Sequence, residues 1–429
     1  MSEQGKTVLI LGNGFDLVHN LSTRYSDFLE FCKRIRRMWE HYENDEQGEL
    51  KSFIFYLYDW TGVESIIEKL AEIFKTRVID ADGDVVINNK ELKEIRKLVV
   101  NNIWFLYLEK LYDQQLFRGI NWIDFEHEIS FIIQSFDKST NNLTDIFTDI
   151  LSKMKDGGIN QKLYIFEMIF TEKMRIEQLI DKGNKGYRDI TYKDFRYILY
   201  KDLEELIRAL ELYLSEFVDT IGVGELVSEI EDLEPDYVIN FNYTHTYERL
   251  YHKSKNGVFH IHGECDKDRP IEDNNMVLGI DEYWGKDERN SHTNFTIFKK
   301  FAQRIQKHTG IDHYRYMTDI NEIYRRNGSG LYYKGRDVFD RLLPDEISKV
   351  YVFGHSLDIT DKDILAEFIG SDATDVTIYC YDKGVEGDLI ANTIKLIGEQ
   401  RLLEKVNHVP PMLKFVIQEK EIANNAEEK

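Results

Sequence analysis

Polar side chains able to do chemistry follow two short apolar runs in the second half of the chain. Residues 237–241 (Tyr-Val-Ile-Asn-Phe) have the pattern of a β-strand and lead into a polar segment that contains Asn242 and Thr244. Residues 258–263 (Val-Phe-His-Ile-His-Gly) form the next short strand, whose end carries His262. Open parallel sheets bind their ligands beyond the carboxyl ends of the strands, so this placement favours a functional role for these side chains.

Two of these residues, His260 and His262, raise the alternative of a metal site. Residues two apart on a strand point to the same face, so the two imidazoles suit a two-histidine site. The further ligand types close by in the sequence are Cys265 and Asp266. A hydrogen-bonded position in the core is favoured for His260, and we expect no metal.

A third strand end carries Gly354 and Ser356. Residues 349–353 (Lys-Val-Tyr-Val-Phe) predict a buried strand that leads into Gly-His-Ser-Leu-Asp. In an α/β fold, Gly354 and Ser356 are expected to line the adenosine side of a dinucleotide, with Asp358 or Asp361 capping the next helix. A hydrolase nucleophile is disfavoured, because Asp358 stands where the motif G-x-S-x-G has its last glycine.

The element that positions all these residues is a strand near the N-terminus, within residues 7–17 (Thr-Val-Leu-Ile-Leu-Gly-Asn-Gly-Phe-Asp-Leu). Five consecutive apolar or β-branched residues predict a strand of a parallel sheet that is covered on both faces. Gly12 and Gly14 let a ligand approach the main chain, and a following helix offers N–H groups to phosphate. Leu17 replaces the third glycine of the dinucleotide fingerprint, so an ordinary strand-to-helix turn stays an open alternative.

Between this strand and the later ones, the chain has a helical pattern almost throughout. Apolar residues recur at three- and four-residue intervals, as in Trp104, Leu108 and Leu111, and no proline precedes Pro235. We therefore predict an α/β fold: a Rossmann-like parallel sheet flanked by helices and interrupted by a long all-helical insertion. The α/β domain comprises residues 1–30 and 231–418, the insertion residues 31–230 and a polar tail residues 419–429. Further strands are predicted at residues 276–281, 375–381 and 413–417.

One segment of the insertion, residues 80–91, has acidic residues in the positions of an EF-hand calcium loop. Val85 stands where the sharp turn of such a loop requires glycine. The alternative is a β-hairpin between residues 77–79 and 85–87, and we favour the hairpin over calcium binding. The acidic residues concerned are Asp80, Asp82, Asp84 and Glu91.

The composition of the chain excludes some classes of function. Its 77 acidic residues against 55 basic ones give a formal net charge of −22, so a broad nucleic-acid-binding surface is not expected. Its three widely spaced cysteines fit a reducing compartment without disulfides. Neither a signal-peptide pattern nor an apolar run of membrane-spanning length is present, so we expect a cytoplasmic protein.

Residues 12–29 (Gly-Asn-Gly-Phe-Asp-Leu-Val-His-Asn-Leu-Ser-Thr-Arg-Tyr-Ser-Asp-Phe-Leu) closely resemble the N-terminal signature of the AbiH family. AbiH proteins are bacterial and are associated with abortive infection against bacteriophage. Residues 121–126 (Asn-Trp-Ile-Asp-Phe-Glu) resemble a second segment of the family, Trp-x-Asp-x-Glu at the start of a helix. Asp124 and Glu126 are expected to complement that helix N-terminus, and the alternative for Glu126 is a place in the nucleotide pocket.

The order of a glycine turn, an asparagine after one strand and a His-Gly pair after the next is similar to that in SIR2-like NAD-binding proteins. The glycine turn is poorer than in sirtuin deacetylases and no zinc ribbon is present, so the resemblance implies the branch that cleaves NAD in phage defence. By position, Asn242 and His262 are then the catalytic pair. An amide can orient water or the ribose hydroxyls, and an imidazole can act as general base near neutral pH.

The predicted nucleotide-binding residues are Gly12, Asn13, Gly14, Phe15, Asp16, Thr244, Gly263, Gly354 and Ser356. Further candidates are His19, Glu126, His245, Asp358 and Asp361.

Functions from three classes remain open at this point. The leading one is hydrolysis of NAD(P), as substrate, at the nicotinamide–ribose bond during phage defence. The alternatives are a module that binds NAD or a related nucleotide and signals to a partner, and a nuclease or phosphodiesterase. The expected partners are the nucleotide, a phage-derived trigger or defence partner and a second copy of the chain, without a membrane.

Overall fold

The structure, a computed structural model, describes residues 5–44, 64–75, 77–79, 85–87, 89–117, 123–137, 161–180, 191–222, 226–252, 254, 257–285, 287–310 and 347–418. Contacts divide the chain into two compact units. The first, here the α/β unit, comprises Met1–Asn20, Gly222–Gly263 and Thr309–Lys429. The second, here the helical unit, comprises Leu21–Ile221 and Glu264–His308.

The described strands and helices are numbered along the chain. The strands are β1 Lys6–Leu11, β2 Arg77–Ile79, β3 Val85–Ile87, β4 Tyr237–Asn240, β5 Val258–His260, β6 Ile347–Phe353, β7 Asp375–Cys380 and β8 Leu413–Ile417. The helices are α1 Asn13–Val18, α2 Tyr25–Asn44, α3 Glu64–Lys75, α4 Lys90–Val99, α5 Ile103–Asp113, α6 Phe125–Asp137, α7 Gln161–Ile180, α8 Tyr192–Leu212, α9 Ser228–Glu231, α10 Thr246–Leu250, α11 Lys300–Gln306, α12 Lys362–Gly370, α13 Lys383–Ile397 and α14 Glu399–Asn407. A π-helical segment, Tyr213–Val218, continues α8.

Six strands of the α/β unit form one sheet in the order β5-β4-β1-β6-β7-β8, and all neighbouring pairs are parallel. Counted within this unit, the order is 3-2-1-4-5-6, which is that of the Rossmann fold. The chain adds β4 and then β5 on one side of β1, and it then adds β6, β7 and β8 on the other side. The switch point of the sheet, where such folds bind dinucleotides, therefore lies between β1 and β6. The predicted Rossmann-like parallel sheet is confirmed.

The central strand β1 is buried on both faces, as its continuous apolar run predicts. Val8 and Ile10 pack into the core on one face, and Leu9 and Leu11 pack into the core on the other, all with no exposed area. Each such side chain stabilises the fold by roughly 1.5–3 kcal/mol through removal from water. Helices α12–α14 cover the first face, and α1, α9 and α10 cover the second.

Two buried charged side chains of the helical unit, Asp202 and Lys173, pair with each other. Asp202, only 1% exposed, accepts a hydrogen bond from the N–H of Ile103 at the start of α5 (2.6 Å). Lys173 donates to the same carboxylate at 2.8 Å and to the carbonyl of Asn101 at 2.9 Å. Because an unpaired buried charge is costly, these bonds tie α5, α7 and α8 together in one arrangement.

Residues 276–281 do not add the strand that their apolar pattern predicts. Only Ile280 pairs with another segment, as an isolated bridge to Lys299. The side chain of Gln303 in α11 instead accepts from the N–H of Leu278 and donates to its carbonyl, both at 3.1 Å. These two bonds satisfy the backbone that a neighbouring strand would have paired, so the segment packs within the helical unit.

The hairpin prediction for the insertion is confirmed. Strands β2 and β3 are antiparallel, with Val78 opposite Val86. Asn89 caps the following helix α4 by accepting from the N–H of Leu92 at 2.7 Å, and Glu91 lies in the first turn of that helix. The other three acidic residues of the calcium-loop alternative, Asp80, Asp82 and Asp84, lie outside the described residues.

Among the described residues, no helix is both long enough and apolar enough to cross a membrane.

Replacing Gln303 with methionine tests the role of this side chain in the helical unit. The change preserves the side-chain volume but leaves the buried N–H and carbonyl of Leu278 unpaired, which is expected to cost about 2–4 kcal/mol. Urea unfolding followed by circular dichroism measures the effect. Gln400→Met at an exposed position of α14 is the control, with an expected change within about 0.5 kcal/mol. Equal unfolding midpoints for the two variants would contradict the assignment.

Candidate functional site

Four predicted site residues lie just beyond the carboxyl ends of neighbouring strands. Gly12 follows β1 directly, Asn242 lies two residues after β4, His262 lies two residues after β5 and Gly354 follows β6 directly. Because these strands are parallel neighbours, all four residues lie at one edge of the sheet. Gly12 and Gly354 stand on the two sides of the switch point.

The two glycines of the first turn pack against the turn after β6. The N–H of Gly12 donates to the carbonyl of Phe353 at 3.1 Å, and that of Gly14 donates to the carbonyl of Gly354 at 2.7 Å. A Cβ atom on Gly14 would lie 2.7 Å from the Gly354 Cα, and one on Gly12 would lie 2.5 Å from the His355 Cα. Both positions therefore require glycine for the close approach of two backbones. Their two N–H groups are used within the protein, and their contact with a nucleotide stays a prediction.

The Asn242 side chain joins the loop after β4 to this same turn. Its Nδ2 donates to the carbonyl of Gly12 at 3.1 Å, and its backbone N–H donates to Asn240 Oδ1 at 3.0 Å. The residue is only 6% exposed. The bond to Gly12 uses the amide nitrogen, so the amide oxygen is the part of Asn242 suited to orient a water molecule or a hydroxyl.

The His262 imidazole, also buried, pairs with a carboxylate from the segment after β6. Its Nε2 lies 3.0 Å from Asp361 Oδ1, and the second oxygen of that carboxylate lies 3.7 Å from His355 Nε2. The ring of Phe241 packs edge-on against both imidazoles, with centroids 5.4 Å from His262 and 4.4 Å from His355. The site thus contains one carboxylate between two imidazoles.

The prediction that His260 and His262 share one face of a strand is wrong. Strand β5 ends at His260, and the chain then turns through Gly263 at a φ of +81°. His260 donates from Nδ1 to the carbonyl of Asn242 at 2.9 Å, and its Nε2 lies 2.7 Å from Glu248 Oε1. The hydrogen-bonded role favoured for His260 is therefore confirmed, and the two imidazoles serve different partners.

Two predicted nucleotide-binding residues, Asp16 and Thr244, are bonded to each other. Asp16, 1% exposed, accepts from the Thr244 hydroxyl at 2.6 Å, and the hydroxyls of Thr244 and Thr246 lie 3.2 Å apart. Charge-assisted hydrogen bonds of this length are strong in a buried setting. They fasten α1 to the loop after β4.

Another predicted residue, His19, belongs to a buried network. Its Nδ1 donates to the carbonyl of Phe15 at 2.7 Å, so in the neutral ring Nε2 accepts from the Tyr251 hydroxyl at 3.1 Å. The same hydroxyl accepts from the N–H of Val227 at 2.8 Å. Burial lowers the pKa of His19 from its ordinary value of 6.5, against the opposing effect of the Phe15 hydrogen bond. Phe15 itself lies in the core, 1% exposed.

The two capping candidates after β6 have different roles. Asp358 caps the turn before α12, since its side chain accepts from the N–H of Thr360 at 3.0 Å. Asp361 immediately precedes α12 but makes no side-chain cap, because its carboxylate faces His262. Ser356 is exposed, and its carbonyl accepts from Asn392 at 2.9 Å.

The remaining candidates lie in two different parts of the chain. Asn13 is exposed at the start of α1, and the His245 ring lies 5.5 Å from that of His260. In the helical unit, Glu126 forms an ion pair with Lys300 at 2.8 Å. The place of Glu126 in a nucleotide pocket stays a prediction.

The capping expected at the start of α6 is confirmed for Asp124, which accepts from the N–H of His127 at 3.1 Å. Trp122 of the same family segment lies outside the described residues.

Sequence reasoning missed His355 and Phe241 as members of the site. Each stands beside a residue that the sequence did single out, Gly354 and Asn242 respectively. An imidazole at a strand end is itself a signal for chemistry, but the sequence pattern singled out only its neighbours Gly354 and Ser356, as residues that line the adenosine side of a dinucleotide.

A family model described as bacteriophage abortive infection AbiH matches residues 8–381. The chain belongs to the AbiH family. The match extends from β1 through β7 and contains every site residue described above, so the AbiH resemblance of the N-terminal signature is confirmed. The family indicates a function in abortive infection by phage. Searches of curated proteins and of solved structures found no match.

Replacing Gly354 with alanine tests the close approach of the two turns. Gly354 has a φ of +69°, and a Cβ atom there would lie 2.2 Å from the Phe15 nitrogen. The combined strain and overpacking are expected to cost about 2–4 kcal/mol in the free energy of unfolding. Gly387→Ala in α13 is the control: its Cβ meets nothing within 4 Å, and alanine is expected to stabilise that helix by about 0.5–1 kcal/mol. Similar unfolding midpoints for both variants would argue against the packing role.

The lowered pKa of His19 predicts a stability change on mild acidification. The unfolded chain takes up a proton as the pH falls through 6.5, while the buried ring resists protonation until lower pH. Stability is therefore lost as the pH falls from 6.5 toward the folded pKa. Urea unfolding at about pH 7.5 and about pH 5 should show a steeper loss for the unmodified protein than for His19→Gln, which does not titrate. Equal losses would show that His19 does not contribute.

Proposed function

We propose that this AbiH-family protein acts in abortive infection by hydrolysing NAD(P) at the nicotinamide–ribose bond. The observation that carries the proposal is the pairing of buried His262 with Asp361 at the edge of the sheet that also presents Asn242. A Rossmann strand order supports a dinucleotide as the ligand, because such sheets bind dinucleotides beyond the strand ends at the switch point.

Hydrolysis of the nicotinamide–ribose bond requires the protein to position the ribose and a water molecule and to supply a general base. The bond between ribose C1′ and the nicotinamide nitrogen breaks, and its electron pair leaves with the nicotinamide, which was already positively charged. Positive charge develops on the ribose, as in glycoside hydrolysis, and a water oxygen forms the new bond to C1′. The products are nicotinamide, ADP-ribose or its phosphorylated form, and one proton.

The residues of the site divide these tasks. His262 takes the proton from the attacking water, a role suited to an imidazole near neutral pH. Asn242 orients the water or the ribose hydroxyls through its amide oxygen, since its nitrogen is held by Gly12. An unregulated enzyme of this kind would exhaust the NAD of its own cell, so we expect the purified protein to be inactive until infection triggers it.

The test is to follow the NAD content of bacterial cells that express the protein, with and without phage. Infection should deplete NAD in cells with the unmodified protein, while His262→Ala and Asn242→Ala at matched expression should slow depletion by roughly 100-fold or more. The control is His408→Ala, which removes an exposed imidazole that binds the carbonyl of Pro410 and should leave depletion unchanged.

The other functional classes give different results in the same experiment. Constant NAD with intact phage protection would overturn the proposal. Protection that survives His262→Ala, together with nucleotide recovered from the purified unmodified protein, would indicate a nucleotide sensor. Metal-dependent release of nucleotides from phage nucleic acid would indicate a nuclease.

A further inference from the structure

We infer that Asp361 is a positioning residue that holds His262 in the tautomer with its proton on Nε2, so that Nδ1 is the atom that accepts the proton from water. The role of Nδ1 as proton acceptor rests on the proposed hydrolysis of NAD(P). The assignment of the His262 tautomer does not depend on that proposal. The distance between His262 Nε2 and Asp361 Oδ1 is 3.0 Å, and the two side chains are only 7% and 10% exposed.

The tautomer follows from the chemistry of the pair. An ionised carboxylate can only accept a hydrogen bond, so the nitrogen that faces it must carry the proton. A neutral imidazole has one N–H, which leaves the lone pair on Nδ1. The carboxylate also stabilises the imidazolium that forms when Nδ1 accepts a proton, as the aspartate of a Ser-His-Asp triad does for its histidine.

A second imidazole, that of His355, lies beside the same carboxylate. The N–H of Leu357 donates to His355 Nδ1 at 2.9 Å, so the proton of His355 lies on Nε2. That Nε2 lies 3.7 Å from Asp361 Oδ2, the carboxylate oxygen that is not bonded to His262. One oxygen of the Asp361 carboxylate is thus bonded to His262, and the other lies near the His355 imidazole.

The local backbone explains why Asp361 is available for this role. A residue in its position, immediately before α12, would ordinarily cap the helix with its side chain. Asp358 instead accepts from the N–H of Thr360, and the backbone N–H of Asp361 donates to the carbonyl of Asp358 at 3.3 Å. This turn directs the Asp361 carboxylate toward His262, and the carboxylate makes no capping hydrogen bond to α12.

The direct test is the ring ¹⁵N spectrum of His262 in the full chain labelled with ¹⁵N-histidine. The chain has 12 histidines, so the signals of His262 are identified by their loss in His262→Gln. The expected spectrum of the unmodified protein is that of an Nε2–H imidazole. A spectrum of an Nδ1–H ring would overturn the inference, and this measurement needs neither catalysis nor a variant at Asp361.

Asp361→Asn then tests the cause. Its amide keeps the size of the side chain but can offer a donor to Nε2, so the expected result is a shift of His262 toward the Nδ1–H form. Asp363→Asn, the same change at an exposed carboxylate in the first turn of α12, is the matched control and should leave the spectrum unchanged. An unaltered His262 tautomer in Asp361→Asn would overturn the inference.

The NAD measurement in infected cells separates the two proposals. Asp361→Asn should slow NAD depletion by roughly 10²–10⁴-fold, and Asp363→Asn should deplete NAD at the rate of the unmodified protein. If the unmodified protein consumes no NAD, the proposed function fails while the ¹⁵N spectra still decide the tautomer. If NAD depletion is normal in Asp361→Asn, the positioning role fails and the proposed hydrolysis stands.

Discussion

The candidate site depends on one close backbone contact, the approach of the turn after β1 to the turn after β6. The N–H of Gly14 donates to the carbonyl of Gly354, and no side chain fits between the two turns. This contact joins the two halves of the sheet at its switch point, where strands added on either side of β1 diverge. The carbonyl of Gly12 then receives the Asn242 side chain, so the backbone of one turn positions a candidate catalytic residue from another.

Around this contact, buried polar groups form bonds that leave little freedom for alternative arrangements. Asp16 holds Thr244, and Asp361 lies between His262 and His355. Because burying a carboxylate without hydrogen bonds costs several kcal/mol, each of these groups stabilises the native arrangement only while its partner is in place. The same rule applies in the helical unit, where Asp202 pairs with Lys173. Preorganised polar groups of this kind are what a hydrolytic site requires.

Membership of the AbiH family indicates a role in abortive infection but does not specify a reaction. The match to AbiH over residues 8–381 places the chain among abortive-infection proteins. Reaction chemistry must be argued from the side chains, since one fold serves many activities. The proposed hydrolysis of NAD(P) rests on the carboxylate–imidazole pair beyond the strand ends of the Rossmann sheet. The glycines, whose N–H groups are already bonded, pack the two turns together.

The sequence by itself determined the local structure of this protein. Patterns within a few residues predict the buried strand β1, the later strands β4–β8 and the hairpin of β2 and β3. Patterns of the same range predict the helices of the proline-free insertion. The identity of Asn242 and His262 as site candidates also came from the sequence, because both follow strands.

Only the tertiary structure decided their partners: Asp361 is 99 residues from His262, and Gly12 is 230 residues from Asn242. The tertiary structure also gives His260 and His262 different partners. At Leu278, where a strand was expected, the side chain of Gln303 pairs with the backbone in place of a neighbouring strand. The physical reason is that periodicity reports the backbone of one segment, whereas these contacts depend on strand order and on turns that bring distant segments together.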